Sequence, residues 1–133
     1  MKTFTVESAN RTLPLVRRIV ADIVRTYEAW QEKIRELEVL GAGARTEETD
    51  RRSALLEKEI AGLAADVQSF LSELEALGVE FKGFDMGLVD FPADIGGRRV
   101  YLCWRLGEPS VAHWHEMDTG FAGRQPLAPA GIT

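Results

Sequence analysis

Two histidines stand two residues apart near the C-terminal end of the chain, at His113 and His115. Alternate residues of an extended strand point to the same side of a sheet, so both imidazoles could reach one ion. The carboxylate of Asp90 would complete a two-histidine, one-carboxylate set, which zinc, iron and manganese use. Cys103 offers a further soft ligand. The pattern predicts a divalent transition-metal site; the alternative is a surface His113 and a His115 that only hydrogen-bonds to a neighbour.

This prediction requires strands that bring the four residues together. After Gly78 the hydrophobic periodicity changes from about 3.5 to 2, as expected where helix gives way to strand. Turn-forming residues separate three such stretches. The predicted strands are Gly87–Pro92, Arg99–Leu106 and Val111–Met117.

The pairing register of the last two strands can be chosen by its effect on the two faces. A three-residue loop, Gly107–Pro109, pairs Leu106 with Ser110 and Leu102 with Trp114. This register gathers the apolar side chains on one face, whereas an even loop mixes both faces. The opposite face then carries Tyr101, Cys103, Arg105, His113 and His115. Asp90 joins that polar face if its strand pairs alongside.

Two arginines offer a different chemistry. The guanidinium groups of Arg105 and Arg124 could clamp a carboxylate or phosphate, because each matches two oxygens. The structural alternative is ion pairing with nearby acidic residues such as Glu108. The segment 120–124 has two glycines but lacks the Gly-Lys-Ser/Thr ending of a phosphate loop. Nothing in the sequence assigns a catalytic residue.

The elements that position these residues begin with two long helices. Each contains seven apolar residues with alternating spacings of four and three, the heptad pattern of helices that pack along a continuous seam. The first stripe is Val16, Val20, Ile23, Tyr27, Trp30, Ile34 and Leu37, and the second is Leu56, Ile60, Leu63, Val67, Phe70, Leu74 and Leu77. A short connection makes the pair antiparallel.

The predicted ends of these helices follow from glycine, proline and capping residues. Thr5 is expected to cap a short first helix that ends near Leu13, and the chain is expected to bend at Pro14 before the long helix. A glycine in the left-handed backbone conformation is expected to end the long first helix at 41–43. Thr46, Thr49 and Asp50 can cap the second helix. We therefore predict an α+β fold, in which a long antiparallel helical hairpin is followed by a small antiparallel sheet packed on it.

Length and composition bound the remaining possibilities. The 133 residues are one domain, divided here into a helical part at 1–80, a sheet at 81–120 and a strap or loose tail at 121–133. A net charge of −5 argues against a nucleic-acid binder. The start lacks an apolar signal segment and no stretch is long enough to span a membrane. A single cysteine suits a reducing cytoplasm.

Several segments resemble one family. They are Phe4–Asn10 with Leu13–Pro14, Gly87–Pro92, Tyr101–Pro109, Trp114–His115 and Gly120–Pro126. Together they cover nearly the whole chain and are similar to DUF2203, a bacterial and archaeal domain of unknown function. The resemblance brings no established activity, but it places Asp90, Cys103, Arg105, Glu108, His115, Gly123 and Arg124 in family-like motifs. Because His113 falls outside these motifs, a site of His115, Asp90 and Glu108 or Glu116 is a further alternative.

Three classes of function follow. The first is a metal-binding protein that holds zinc, iron or manganese with His115, Asp90 and neighbouring ligands. The second is an assembly protein that works through the surface of the helical hairpin, for which we expect a homodimer because two helices alone hide little more than one seam. The third is an anion or small-molecule binder that uses Arg105 and Arg124.

Overall fold

The computed structural model describes residues 2–127. Its helices are α1 (Val6–Ala42) and α2 (Glu47–Leu77), and its strands are β1 (Glu80–Gly83), β2 (Leu88–Ile95), β3 (Arg98–Arg105), β4 (His113–Glu116) and β5 (Gln125–Pro126). The two helices pack against each other, and the five strands form one antiparallel sheet in the order β1-β2-β3-β4-β5. The predicted α+β architecture is confirmed. No helix within residues 2–127 is long and apolar enough to cross a membrane.

Helix α1 differs from the sequence prediction at Pro14. We expected a short helix that ends near Leu13 and a bend at Pro14, but α1 runs without interruption from Val6 and contains Pro14. Proline removes one helix hydrogen bond and costs up to about 3 kcal/mol in a helix interior. The buried stripe continues across it, with Leu13 on one side and Val16 on the other. Burial of this stripe against the sheet outweighs the local cost.

The caps explain where the helices begin and end. Thr5 and Thr46 cap α1 and α2, and each exchanges hydrogen bonds with the residue three positions later, as a capping box does. Gly78 ends α2 in the left-handed conformation, with φ 85°. Gly43 does not: its φ of −94° is extended, so the expected left-handed end of α1 is wrong. The Gly43 N–H instead reaches back to the carbonyl of Leu40.

The predicted register of the hairpin is confirmed by the pairing of Leu102 with Trp114 and of Cys103 with His113. The ladder stops there, short of the predicted Leu106–Ser110 pair. Strand β2 is longer than predicted and continues through Pro92 to a tight turn at Gly96–Gly97, where both φ angles are positive. Such a turn matches the twist of paired strands and favours glycine.

Two strands were not predicted, β1 and β5. Strand β1 is four residues long and pairs with β2, and β5 is two residues long and pairs with β4. Residues 121–127 of the expected strap form a 3-10 turn at Phe121–Gly123, then β5, and end on a buried Leu127. The rest of that segment lies outside the described residues.

The sheet has one face against the helices and one face turned away from them. The face against the helices carries the apolar residues of the central strands, which join α1 and α2 in one core. They include Val89, Phe91, Val100, Leu102, Trp104 and Trp114. The alternate residues lie on the opposite face, which we call the outer face. All the chemistry predicted for the hairpin therefore falls on the outer face.

Candidate metal centre

Three adjacent strands place one ligating side chain each on the outer face. In the β2–β3 ladder Asp90 pairs directly with Cys103. In the β3–β4 ladder Cys103 pairs with His113 and Tyr101 pairs with His115. Paired residues of adjacent strands share a face, and so do residues two apart on one strand. Asp90, Cys103 and His115 consequently converge from β2, β3 and β4.

These three side chains form what we call the Asp–Cys–His cluster. Nε2 of His115 lies 2.9 Å from Oδ1 of Asp90, and the Cys103 thiol also hydrogen-bonds to the Asp90 carboxyl. One ligand atom from each residue lies within 4.8 Å of the other two. The residues are 3%, 0% and 1% exposed, so the cluster is buried although it lies on the outer face.

The orientation of the His115 ring is fixed from its other side. Nδ1 lies 2.7 Å from the backbone oxygen of Glu116. A carbonyl oxygen can only accept, so Nδ1 carries the proton and donates it. Nε2 faces Asp90 and Cys103, and its 2.9 Å hydrogen bond with Oδ1 of Asp90 requires one proton between the two atoms. An ion bound in the cluster would take the place of that proton and bind the Nε2 lone pair. Metal-binding histidines are typically held in this way, with one nitrogen donating to a backbone carbonyl and the other facing the ion.

Burial favours the protonated forms of Asp90 and Cys103. It raises the pKa of Asp90 above its usual range, although the hydrogen bond with His115 opposes this. Burial also raises the pKa of Cys103 to about 12, and the neighbouring Asp90 carboxylate adds to the effect. The thiol is therefore un-ionised near neutral pH in the absence of an ion. A reactive nucleophilic cysteine requires the opposite shift.

Tyr101 flanks one side of the cluster. Its ring centre lies 5.4 Å from that of His115, and its hydroxyl is 3.0 Å from both carboxylate oxygens of Glu80. Lys82 pairs with the same carboxylate at 3.0 Å. Glu80 and Lys82 belong to β1, so the unpredicted first strand supplies this flank. Glu80 and Lys82 were not predicted from the sequence, whereas Tyr101 was predicted on the correct face.

Arg124 and Glu108 flank the other side. Two nitrogens of Arg124 each lie 2.9 Å from an oxygen of Glu108, and Nη2 also donates to the backbone oxygen of Cys103 at 3.3 Å. Oε1 of Glu108 further accepts from the backbone N–H of Arg105 at 2.8 Å. Burial alone would raise the pKa of Glu108, but these hydrogen bonds outweigh it and hold that pKa below its usual range.

The other predicted ligands lie outside the Asp–Cys–His cluster. Nδ1 of His113 lies 3.8 Å from Oε2 of Glu108, so these two residues face each other beside the cluster. The carboxylate of Glu116 pairs with Arg98 at 2.7 Å, and Glu116 contributes only its backbone oxygen to the cluster. The structure therefore brings together Asp90, Cys103 and His115, and not His113, Glu108 or Glu116.

The two predicted anion-binding residues share one neighbour. The guanidinium carbon of Arg124 lies 4.7 Å from the ring centre of Phe121, and that of Arg105 lies 5.9 Å from it. Arg124 is engaged by Glu108, the ion pair that the sequence analysis gave as the structural alternative. Its charge is thus already balanced inside the protein.

The family description "Uncharacterized conserved protein (DUF2203)" matches residues 2–127. The chain belongs to the DUF2203 family. This confirms the resemblance seen in the sequence motifs, and the whole Asp–Cys–His cluster of this DUF2203 protein falls inside the matched range. No curated protein and no solved structure matches the chain.

Proposed function

We propose that this DUF2203 protein binds a divalent transition metal with Asp90, Cys103 and His115. The observation that carries the proposal is the fixed His115 ring, whose protonated Nδ1 is held by a carbonyl while Nε2 faces the other two ligands. A carboxylate, a thiolate and an imidazole are all zinc ligands. Ligand atoms around one zinc ion lie roughly 3.3–3.8 Å apart, which modest side-chain shifts would reach.

Charge balance also supports a divalent ion. An ionised Asp90 and an ionised Cys103 carry two negative charges, which a divalent cation neutralises in a buried place where unbalanced charge is costly. Binding must displace the thiol proton, because the pKa of Cys103 without an ion is about 12. The soft thiolate and the imidazole favour zinc over harder ions such as magnesium or calcium. A reducing cytoplasm would keep the thiol available.

Cobalt substitution tests this proposal with a spectroscopic signal. Cys103 is the only cysteine of the chain, so a thiolate-to-cobalt charge-transfer band can come from no other residue. We expect the purified protein to bind one Co²⁺ per chain with this band in the near ultraviolet, and zinc to abolish the band by displacement. The Cys103→Ser variant should lack the band. Cobalt binding without the band, or no binding of cobalt or zinc, would contradict the site.

We also propose that the protein forms a homodimer through the distal part of its helical hairpin. The heptad stripe of α1 continues past Ile23, its last buried residue, and along this part of the hairpin Trp30, Ile34, Ile60 and Val67 stay only partly buried. An open apolar cavity in this region is lined by Tyr27, Trp30, Ala64, Val67 and Phe84. A second copy presents the same antiparallel helix pair, and two such pairs close a four-helix bundle through one self-complementary interface.

Sedimentation of charge-introducing variants tests the dimer. We expect the wild-type chain to sediment as a dimer and Val67→Glu as a folded monomer, because the new carboxylate would be buried without a partner. Leu15→Glu is the matched control, since Leu15 is an apolar helix residue that is already 45% exposed. A wild-type monomer, or a Val67→Glu dimer as stable as the wild type, would refute this interface.

A further inference from the structure

Arg124 ties the strand at the edge of the sheet to a strand two positions away. It directly precedes β5, and in the sheet order β4 lies between β5 and β3. Its Nη2 nevertheless reaches the backbone oxygen of Cys103 on β3. The side chain therefore crosses β4 on the outer face, the face that also carries His113 and His115. We call the Arg124–Glu108 ion pair the clasp.

The Glu108 end of the clasp is held rigidly. Its carboxylate accepts from the backbone of Arg105, and its own backbone oxygen accepts from the indole N–H of Trp104 at 3.0 Å. Trp104 is fully buried in the core. The side chains of Arg124 and Glu108 are only 13% and 15% exposed, so the ion pair and its two hydrogen bonds are shielded from solvent. Such a pair is stronger and more selective in geometry than an exposed one.

The segment that carries Arg124 has few other attachments. Strand β5 pairs with only two residues of β4, His113 and Trp114. Beyond β5, the Leu127 N–H donates to the oxygen of Ala112 and the Leu127 side chain is buried. Before it, residues 117–119 are exposed and Gly120 has a φ of 63°. The clasp is thus a principal tie between the segment 120–127 and the rest of the sheet.

The clasp also borders the Asp–Cys–His cluster. It contacts the backbone of Cys103, and the Arg124 charge acts on the Cys103 thiol. We propose that the clasp closes the cluster against solvent and that its opening, with movement of residues 120–127, sets the rate at which the metal ion enters and leaves. This inference rests on the proposed metal site and adds the element that controls exchange there.

Transfer of the ion to a chelator measures this opening. Wild-type protein, Arg124→Gln and Glu108→Gln are each loaded with cobalt and mixed with excess chelator, and the loss of the thiolate band is followed in time. We expect both variants to bind one ion and to release it roughly tenfold faster, because a shielded ion pair no longer opposes opening. Arg98→Gln removes an exposed β3–β4 ion pair and should release cobalt at the wild-type rate.

The double variant, with both Arg124→Gln and Glu108→Gln, shows whether the two residues slow metal release as one unit or independently of each other. If Arg124 and Glu108 act as one unit, the double variant releases the ion about as fast as either single variant. Amide hydrogen exchange of the metal-free proteins gives an independent readout. We expect faster exchange at residues 120–127 in the two single clasp variants and in the double variant than in the wild type. Unchanged release and unchanged exchange, with one ion still bound, would overturn the clasp alone. A wild-type chain that binds no ion would overturn the metal site and the control of exchange together.

Discussion

Replacement of His115 by glutamine is expected to abolish zinc uptake, whereas the same replacement at His113 leaves one zinc ion per chain. His115 presents Nε2 to Asp90 and Cys103, and glutamine has no imidazole nitrogen and is not among the usual zinc ligands. His113 is on the same strand and the same face, but its Nδ1 faces Glu108. These are the only two histidines of the chain, so each variant is the matched control of the other. Elemental analysis of protein purified without chelator gives the measurement.

Unfolding experiments provide a second readout of the same pair. A ligand that binds only the folded state stabilises it by about 2.7 kcal/mol at a hundred times its dissociation constant. Wild type and His113→Gln should therefore gain stability when zinc is added, and His115→Gln should not. Without metal, His115→Gln should lose about 1–3 kcal/mol, because Asp90 stays buried and loses its imidazole partner.

A second variant that keeps its fold shows whether loss of zinc comes from loss of a ligand or from unfolding. Asp90→Asn retains the shape of the side chain and removes the anionic ligand, so it should fold and bind zinc far more weakly. A zinc ion retained by both His115→Gln and Asp90→Asn, or lost equally by His113→Gln, would show that the Asp–Cys–His cluster is not the site. The cluster would then be a buried hydrogen-bond network only.

The convergence of the cluster could be predicted because strand alternation is strict. Once the hairpin register was chosen to separate apolar from polar faces, Cys103 and His115 had to share the outer face. Asp90 required one more assumption, that its strand pairs beside the hairpin, and the β2–β3 ladder confirms it. The same rule places His113 on this face, but it does not say which of two neighbouring side chains points to the cluster.

Other features depend on contacts that no local pattern contains. Strand β1 is short and its pairing with β2 is irregular after Phe81, so it has no clear alternation in the sequence. The interruption expected at Pro14 did not occur, because burial on both sides of the proline outweighs one missing hydrogen bond. Glu108 was predicted as a ligand, yet a tertiary contact with Arg124 commits it elsewhere. In each example, contacts with residues far away in the sequence determined the structure.

Substitution of Gly87 by alanine is expected to destabilise the protein far more than the same substitution at Gly96. Both glycines have a φ near 60°, where a side chain costs roughly 1–2 kcal/mol. At Gly96 an added methyl group would meet open space, but at Gly87 it would lie 2.8 Å from Cβ of Leu106 and 3.0 Å from Val20. Forcing a methyl into such a packed place costs about a further 1–3 kcal/mol. Denaturant unfolding of the metal-free proteins measures both losses.

The position of Gly87 connects this packing to the metal site. Its backbone oxygen accepts from the N–H of Leu106 at 3.0 Å, just beyond the β2–β3 ladder that sets Asp90 opposite Cys103. A shift of the backbone at Gly87 would therefore disturb the spacing of these two ligands. Gly96 lies at the other end of the ladder in an open turn. We expect zinc affinity to fall in Gly87→Ala and to be preserved in Gly96→Ala. Equal losses of stability and affinity in the two variants would mean that the positive φ, and not the crowding against α1, determines the role of Gly87.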